Sequence, residues 1–390
     1  MAKGEYRDEF PQTSVHGAGH RRDCRRRSPS EGQVREFDTS RWMATGQPTD
    51  QWIVQSLGQR DMTNRVGVVG CGVTGSRVVG QLVALGCSSI LVTDINRLKA
   101  QQLAALYRSD GVSVEVVDPE EVAQCSVVVL ACAKPHVALA DRLLVQGVRV
   151  VSMSDDLGDT MQLLQLDEAA KRSASTLVVG AAAAPGLTAL LIEHAARGFD
   201  SIDEAHIALH GTGGPNCAHQ HHDALSGQSI GWHDDDWLRR PAGSGRELCW
   251  FPEPVGAYDC YRAEMSDPVL LKHAMPQLQR ITARMSATRR DRFTARLPMM
   301  SPPHAEGGMG SVRVEVRGWK AGARGVEIVG VAERVAQIAG VVAGSVAHEI
   351  ATGGITRAGV VTLGSSDVPN SRLLATVQRA GIQLHEFVGS

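Results

Sequence analysis

An excess of charge of one sign is missing from this sequence. Its 390 residues carry 40 Lys and Arg against 42 Asp and Glu, a formal net charge of −2. That balance gives no electrostatic footprint for nucleic acid, a membrane surface or a polyanionic partner. Long apolar runs are missing too. None reaches the ~18 uncharged residues that a spanning helix needs. Met1–Asp61 has no apolar h-region, so no secretory signal is expected. None of the eight cysteines, at 24, 71, 87, 125, 132, 217, 249 and 260, stands in a C-x-x-C pair. Zinc ribbons and thioredoxin-type motifs are thereby disfavoured. Several cysteines lie in apolar runs such as Val127–Cys132 and read as reduced, buried thiols of a cytoplasmic protein.

What is present is 43% hydrophobic and 21% charged, the balance of a soluble globular chain. The length suits two domains plus a tail. Residues 1–62 are polar and aperiodic and read as a disordered or loosely docked N-terminal extension. Arg21, Arg22, Arg25, Arg26 and Arg27 read there as a solvated run, and Asp50–Leu57 as a short docked helix. From residue 63 to 186, short apolar strands alternate with helices. The pattern predicts an α/β fold, an N-terminal Rossmann doubly wound parallel sheet. One helix is expected over Met161–Ser173.

After Pro185 the rhythm changes. Residues 187–330 predict a second, α+β substrate or dimerisation domain on a mixed sheet. Gly211–Pro268 reads as a long irregular surface or lid, and Val269–Ser286 as a helix. Ser311–Arg317 and Gly325–Val331 read as a hairpin. Residues 331–390 predict C-terminal helices returning to the first domain. Small residues at 339, 340, 343, 344 and 345 suit close packing there or against a second subunit, so a homodimer is expected.

The strongest local signal is Gly70-Cys71-Gly72-Val73-Thr74-Gly75, between a predicted strand and a predicted helix. That context makes G-x-G-x-x-G a dinucleotide fingerprint. Gly70 permits the tight turn, Gly72 the approach of the pyrophosphate, and Gly75 close packing of helix on sheet. Asp94 follows the second strand, where a carboxylate accepts hydrogen bonds from the adenosine ribose and repels a 2′-phosphate. Arg97 keeps NADP open, so NAD is expected and NADP allowed. Cofactor contacts are assigned to Gly70, Gly72, Val73, Thr74 and Gly75, to Asp94, Ile95 and Arg97, and to Ala131, Cys132 and Pro135. The last three lie on the loop after the fourth strand, where Lys134 and His136 either reach toward the nicotinamide or stand as a surface lysine and a helix-start histidine.

Two further elements face the same edge. Ala181–Gly186 is a small-residue turn that a flat ring can lie against. His210–His222 combines flexible glycines with a histidine cluster. His219, His221 and His222 admit three readings: substrate-facing acid or base groups, satisfied structural histidines, or metal ligands. No carboxylate stands at a partner spacing, so no metal is assigned. Trp232, Trp237 and Trp250 either wall a pocket or anchor a long loop.

With these residues in hand, the chain resembles the saccharopine dehydrogenase-like family. Its relatives include saccharopine reductase, carboxynorspermidine and homospermidine synthases, and lysine 6-dehydrogenase. The resemblance spans about Val66–Gly389. It rests on Gly70–Gly75, Val127–His136, the Ala184-Pro185-Gly186 turn and Gly213-Gly214-Pro215. It implies a Rossmann domain with an inserted mixed-sheet substrate domain, and hydride transfer at a carbon–nitrogen bond of an amino-acid-like or polyamine-like substrate. Members of the saccharopine-reductase type often carry Asp-Pro-Gly where this chain has Ala184, which removes an acidic contact to a substrate amine.

The function expected is an NAD(P)-dependent oxidoreductase acting on CH–NH or CH–NH2 groups of a small-molecule substrate. The proton role is assigned to His221 or His222, with Lys134 or Asp155 in support. Substrate contacts are assigned to Pro185, Gly186, Gly213, Gly214 and His219. Two alternatives stand beside it. One is a redox-neutral enzyme with tightly bound NAD, of cyclodeaminase or homospermidine-synthase type. The other is a non-catalytic dinucleotide sensor.

Overall fold

The structure is a computed structural model and describes residues 34–36, 65–108, 111–300 and 302–387. A short strand, β1 (Val34–Glu36), comes first. Most of the strands that follow are apolar and non-alternating, the pattern of strands covered on both faces; Ser113–Val116, at the sheet edge, alternates. The elements are β2 (Val66–Val69), α1 (Val73–Ala84), β3 (Ser89–Thr93), α2 (Arg97–Leu106), β4 (Ser113–Val116), β5 (Val127–Leu130) and α3 (Val137–Val145). Next come β6 (Arg149–Ser152), α4 (Leu157–Leu164), α5 (Asp167–Arg172), β7 (Thr176–Val179) and α6 (Leu187–Ala196). Every residue of β5 and β7 is buried.

The second half gives β8 (Ser201–His210), α7 (Pro215–Ala224), β9 (Gln228–His233), β10 (Asp236–Pro241), β11 (Glu247–Trp250) and β12 (Ala257–Arg262). It continues through α8 (Asp267–Ala274), β13 (Arg280–Ser286), α9 (Arg289–Thr294), β14 (Met309–Lys320) and β15 (Ala323–Arg334). The chain ends in α10 (Val335–Ala351), β16 (Gly359–Thr362), α11 (Asn370–Arg379) and β17 (His385–Phe387).

Two sheets organise these elements. The first runs β16-β7-β6-β5-β2-β3-β4 and is parallel throughout. The chain therefore leaves β2 in both directions, to β3 on one side and β5 on the other. In such sheets the crevice at that reversal, outside the strands' carboxyl ends, takes the ligand. The second sheet runs β1-β17-β15-β14-β8-β13-β12-β11, with β9 joining β13 to β10. It is mixed, because β8 and β13 are parallel while β8 and β14 are antiparallel. The predicted α/β class with a parallel and a mixed sheet is therefore what the chain adopts.

Helix α10 closes the molecule onto the first sheet. A Cβ at Gly340 would lie 2.3 Å from Arg77 Cβ, and one at Gly344 2.9 Å from Gln81 Cβ. The glycines let the backbones of α10 and α1 touch, and Gln81 Nε2 donates to Ser345 Oγ at 3.1 Å. Among the described residues, no helix is long and apolar enough to cross a membrane.

Three expectations need correction. The helix over 161–173 is two helices, α4 and α5. Residues 211–268 are not irregular but carry α7 and four strands. β10 is exposed at every position, so it shows no apolar alternation to read. The helix over 269–286 ends at Ala274 because Pro276 follows, and the remainder is β13, whose Ile281, Ala283 and Met285 alternate inward. The Asp50–Leu57 helix and the arginine run lie outside the described residues.

Candidate active site

The fingerprint forms the turn that its sequence requires. Gly70 adopts φ +101°, and a Cβ on it would fall 2.7 Å from the Ala131 carbonyl. A Cβ on Gly75 would fall 1.9 Å from Gly70 O, so α1 lies hard against the strand end. Gly72 differs: nothing lies within 4 Å of its absent side chain. It is the N-cap of α1, whose first turn holds no acidic residue. Open space, glycine and free helix amides together make an anion seat of pyrophosphate type. Val73 and Thr74 complete that first turn.

Asp94 follows β3, at one side of the crevice beside the fingerprint turn. Its carboxylate accepts from the Cys71 amide at 2.7 Å and from the Asn96 amide at 2.7 Å. Ile95 beside it is fully exposed. Arg97 pairs with Asp118 at 2.6 Å, with both side chains exposed. Burial first, then the Asp94 charge, pushes the Cys71 thiol up to about 12, so it stays neutral.

A cleft opens at the other end of the crevice. Its first-sheet wall is Lys134, Asp155, Asp156 and Ala184; its second-sheet wall includes Gln220, His221, Asp223, Glu264 and Met265. Lys134 forms an ion pair with Asp156. Burial disfavours charge on both, but their mutual hydrogen bond and charge outweigh it, raising Lys134 and lowering Asp156. His221 Nε2 lies 3.5 Å from Asp155 Oδ2 and 3.5 Å from Cys217 Sγ. Burial disfavours the imidazolium, yet the sulfur and carboxylate outweigh it and lift His221 well above the ordinary imidazole value.

Lys134, Asp155 and His221 are thus brought together. His222 is not: its Nε2 faces the main-chain carbonyls of Thr294 and Leu297, each at 3.0 Å. His219 is exposed on the outer side of α7. His136 is buried between Ser152 Oγ at 2.8 Å and the Cys132 carbonyl at 3.0 Å, so it holds the Ala131–His136 loop rather than reaching the cleft. Cys132 is half-buried and Pro135 exposed on that loop. Pro185 and Gly186 are buried behind Ala184; a Cβ on Gly186 would fall 2.3 Å from Ala182 O. Gly213 and Gly214 pack on Thr74 and Val73, covering the start of α1 from the second sheet. Trp232 and Trp237 meet edge to face at 4.9 Å, and Lys272 lies over Trp232, so these tryptophans anchor the β9–β10 hairpin.

Asp156, Asp223, Glu264 and Cys217 were not assigned from sequence. Asp156 follows the fifth strand of the parallel sheet at its carboxyl edge, the rule that picked out Lys134. The others carry no local signal. Asp267 is another: it is buried under the Ala-Pro-Gly turn, accepts from Thr188 Oγ1 at 2.8 Å, and leaves Oδ2 without a partner. Burial pushes its carboxyl up to about 7.

Residues 65–155 match a family model described as NADP oxidoreductase, coenzyme F420-dependent. No curated protein sequence matches the chain. Among solved structures, the fold resembles apo saccharopine dehydrogenase (L-Glu forming) from Saccharomyces cerevisiae. The TM-score is 0.61, with 14% identity over 84% of this chain and 100% of that one. A weaker likeness, TM-score 0.42, is to C. glutamicum DAP dehydrogenase in complex with DAP, 13% identical over 77% of this chain and 93% of that one. The architecture is that of saccharopine dehydrogenase, as the sequence resemblance implied.

Proposed function

We propose that this chain is an NAD(P)-dependent oxidoreductase that moves hydride at a carbon–nitrogen centre of a small amine-bearing substrate. One observation carries the substrate class. Four carboxylates, on Asp155, Asp156, Asp223 and Glu264, line the cleft against Lys134 and His221 alone. An acid-rich cleft draws a protonated amine or iminium and disfavours a plain hydroxy-acid anion. The fingerprint and the Ala131–His136 loop bring the dinucleotide's reactive end to this cleft.

When bound, the nicotinamide supplies or accepts the hydride. The chain's own residues orient the substrate and handle the proton. Lys134, fixed by Asp156, exchanges it with the substrate nitrogen. An amine product has a proton affinity close to that of an ordinary lysine, near pKa ~10, and Asp156 holds Lys134 above it, so the exchange favours the proton on Lys134. NAD is favoured over NADP, because Asp94 is anchored where a 2′-phosphate would come and Arg97 is engaged by Asp118.

The proposal includes a cytoplasmic homodimer. Helix α10 is consumed by its packing on α1, so the contact would use the second sheet; light scattering tests it. Activity is tested by following NADH and NADPH consumption with paired amines and 2-oxo acids. Turnover requiring an amine supports the proposal. Dinucleotide binding without turnover across that panel sinks it.

A further inference from the structure

Three different ligand types meet at one corner of the cleft. Cys217 and His221 stand four residues apart on α7, one above the other on a single helix face. Asp155 reaches them from the loop after β6, on the opposite wall. One donor atom from each lies within 4.8 Å of the other two. The two edges that meet at His221 Nε2 are both 3.5 Å, to Cys217 Sγ and to Asp155 Oδ2.

Those lengths can be compared with a tetrahedron. Zinc bonds of about 2.3 Å to sulfur and about 2.0–2.1 Å to nitrogen and oxygen give a sulfur–nitrogen edge of about 3.6 Å and a nitrogen–oxygen edge of about 3.3 Å. The two edges that meet at His221 match these lengths, and the third, from Cys217 Sγ to the Asp155 carboxylate, is within 4.8 Å.

Two occupants suit the arrangement, a proton on the imidazole or a cation among the three donors. A single imidazole nitrogen carries either a lone pair or a proton. With a lone pair it can take the thiol proton but repels the carboxylate. With a proton it becomes an imidazolium held between the carboxylate and the sulfur. A cation accepts all three lone pairs at once. Asp155 is also oriented from behind: Gln220 Nε2 donates to its other oxygen, Oδ1. Fixing of a carboxylate ligand by an outer hydrogen bond is a usual feature of metal sites.

We propose that Asp155, Cys217 and His221 bind a divalent transition metal of zinc type, with the fourth position facing the cleft. Mixed sulfur, nitrogen and oxygen donors suit zinc or cobalt and are poor for magnesium or calcium. Three protein ligands with an open position form a site that can take a substrate amine, carboxylate or water. Asp155 and the Cys217 thiolate would balance the charge of the metal, leaving Asp223 and Glu264 to face a substrate cation, and the ion would hold the two walls of the cleft together. Binding of the metal is independent of the dinucleotide assignment and is read without turnover.

The test is metal content and cobalt spectroscopy on the full chain purified without chelators. Elemental analysis should find zinc in equimolar amount. Cobalt replacing it should give a thiolate charge-transfer band and the intense visible bands of a tetrahedral site. Cys217→Ser should abolish the charge-transfer band, and Cys132→Ser should keep it. Gln220→Ala should weaken cobalt binding by about tenfold or more through the outer hydrogen bond. Circular dichroism confirms that each variant is folded. Protein that holds no zinc and shows no cobalt band in excess metal overturns the proposal. So does a charge-transfer band that survives Cys217→Ser, or alkylation of Cys217 at the same rate with and without zinc.

Discussion

Asp94 closes the fingerprint turn from the neighbouring strand: its Oδ2 accepts the Cys71 amide proton at 2.7 Å. One carboxylate thus shapes the fingerprint turn, and in the proposed binding mode it also faces the ribose. Asp94→Ser should weaken NAD binding and narrow the preference over NADP together. A charge-assisted hydrogen bond is worth about 1.5–3 kcal/mol, which is roughly tenfold to a hundredfold in the dissociation constant. Isothermal titration with each dinucleotide checks it. An unchanged NAD:NADP ratio would remove Asp94 from the ribose site.

Gly72 and Gly75 should behave as opposites. A Cβ on Gly75 falls 1.9 Å from a backbone oxygen, whereas one on Gly72 meets nothing within 4 Å. Gly75→Ala should cost stability, by about 1–3 kcal/mol for overpacking. Gly72→Ala should melt close to wild type yet lose dinucleotide affinity, because its methyl group occupies the phosphate's space. Thermal melts with and without NAD separate the two effects. Full NAD affinity in Gly72→Ala would place the pyrophosphate elsewhere.

Lys134 should matter to turnover more than to fold. Its ion pair with Asp156 is partly exposed and adds little stability. Lys134→Met should leave the melting temperature nearly unchanged and lower kcat by about 10²–10⁴, the usual worth of a positioned acid–base group. Steady-state kinetics at saturating dinucleotide measures it. Loss of dinucleotide affinity with unchanged kcat would contradict the assigned role.

The buried carboxyl of Asp267 sets a pH dependence. Its folded value is raised to about 7 by burial, against an unfolded value of about 4. Between those limits the folded chain holds a proton that the unfolded chain has released. Stability from this group is therefore complete below about pH 4 and declines as pH rises toward about 7. A three-unit shift corresponds to at most about 4 kcal/mol. Asp267→Asn keeps the acceptor for Thr188 and removes the charge. Its melting temperature should exceed wild type at pH 8, and the gap should narrow to roughly a third by pH 5. Parallel curves across that range would show that Asp267 does not titrate there.

Six strands of the parallel sheet were legible because most are short apolar runs between glycine turns, buried on both faces; β16, which joins the edge of that sheet from the far end of the chain, was not. The fingerprint was legible for a similar reason: Gly70 and Gly75 stand where backbone approaches backbone. The second sheet was not. β10 is exposed throughout, and β9 runs from buried Ser229 and Ile230 through half-buried Gly231 and Trp232 to exposed His233, so neither alternates. At the site, Lys134 and Asp155 follow from their place after parallel strands. The histidine cluster could not be sorted by spacing, since adjacent helix residues face different ways. His221 turns to Asp155 while His222 turns to the carbonyls of Thr294 and Leu297. Cys217 had no signal at all until the opposite wall supplied a carboxylate.

Dinucleotide binding at Gly70–Gly75 is the claim on which the rest depends. The most direct measurement is a thermal melt of the full chain titrated with NAD and with NADP. At a hundredfold excess over the dissociation constant, binding should add about 2.7 kcal/mol of stability and raise the melting temperature. NAD should act at lower concentration than NADP, and Gly72→Ala should abolish the shift. No shift with either dinucleotide would contradict the account.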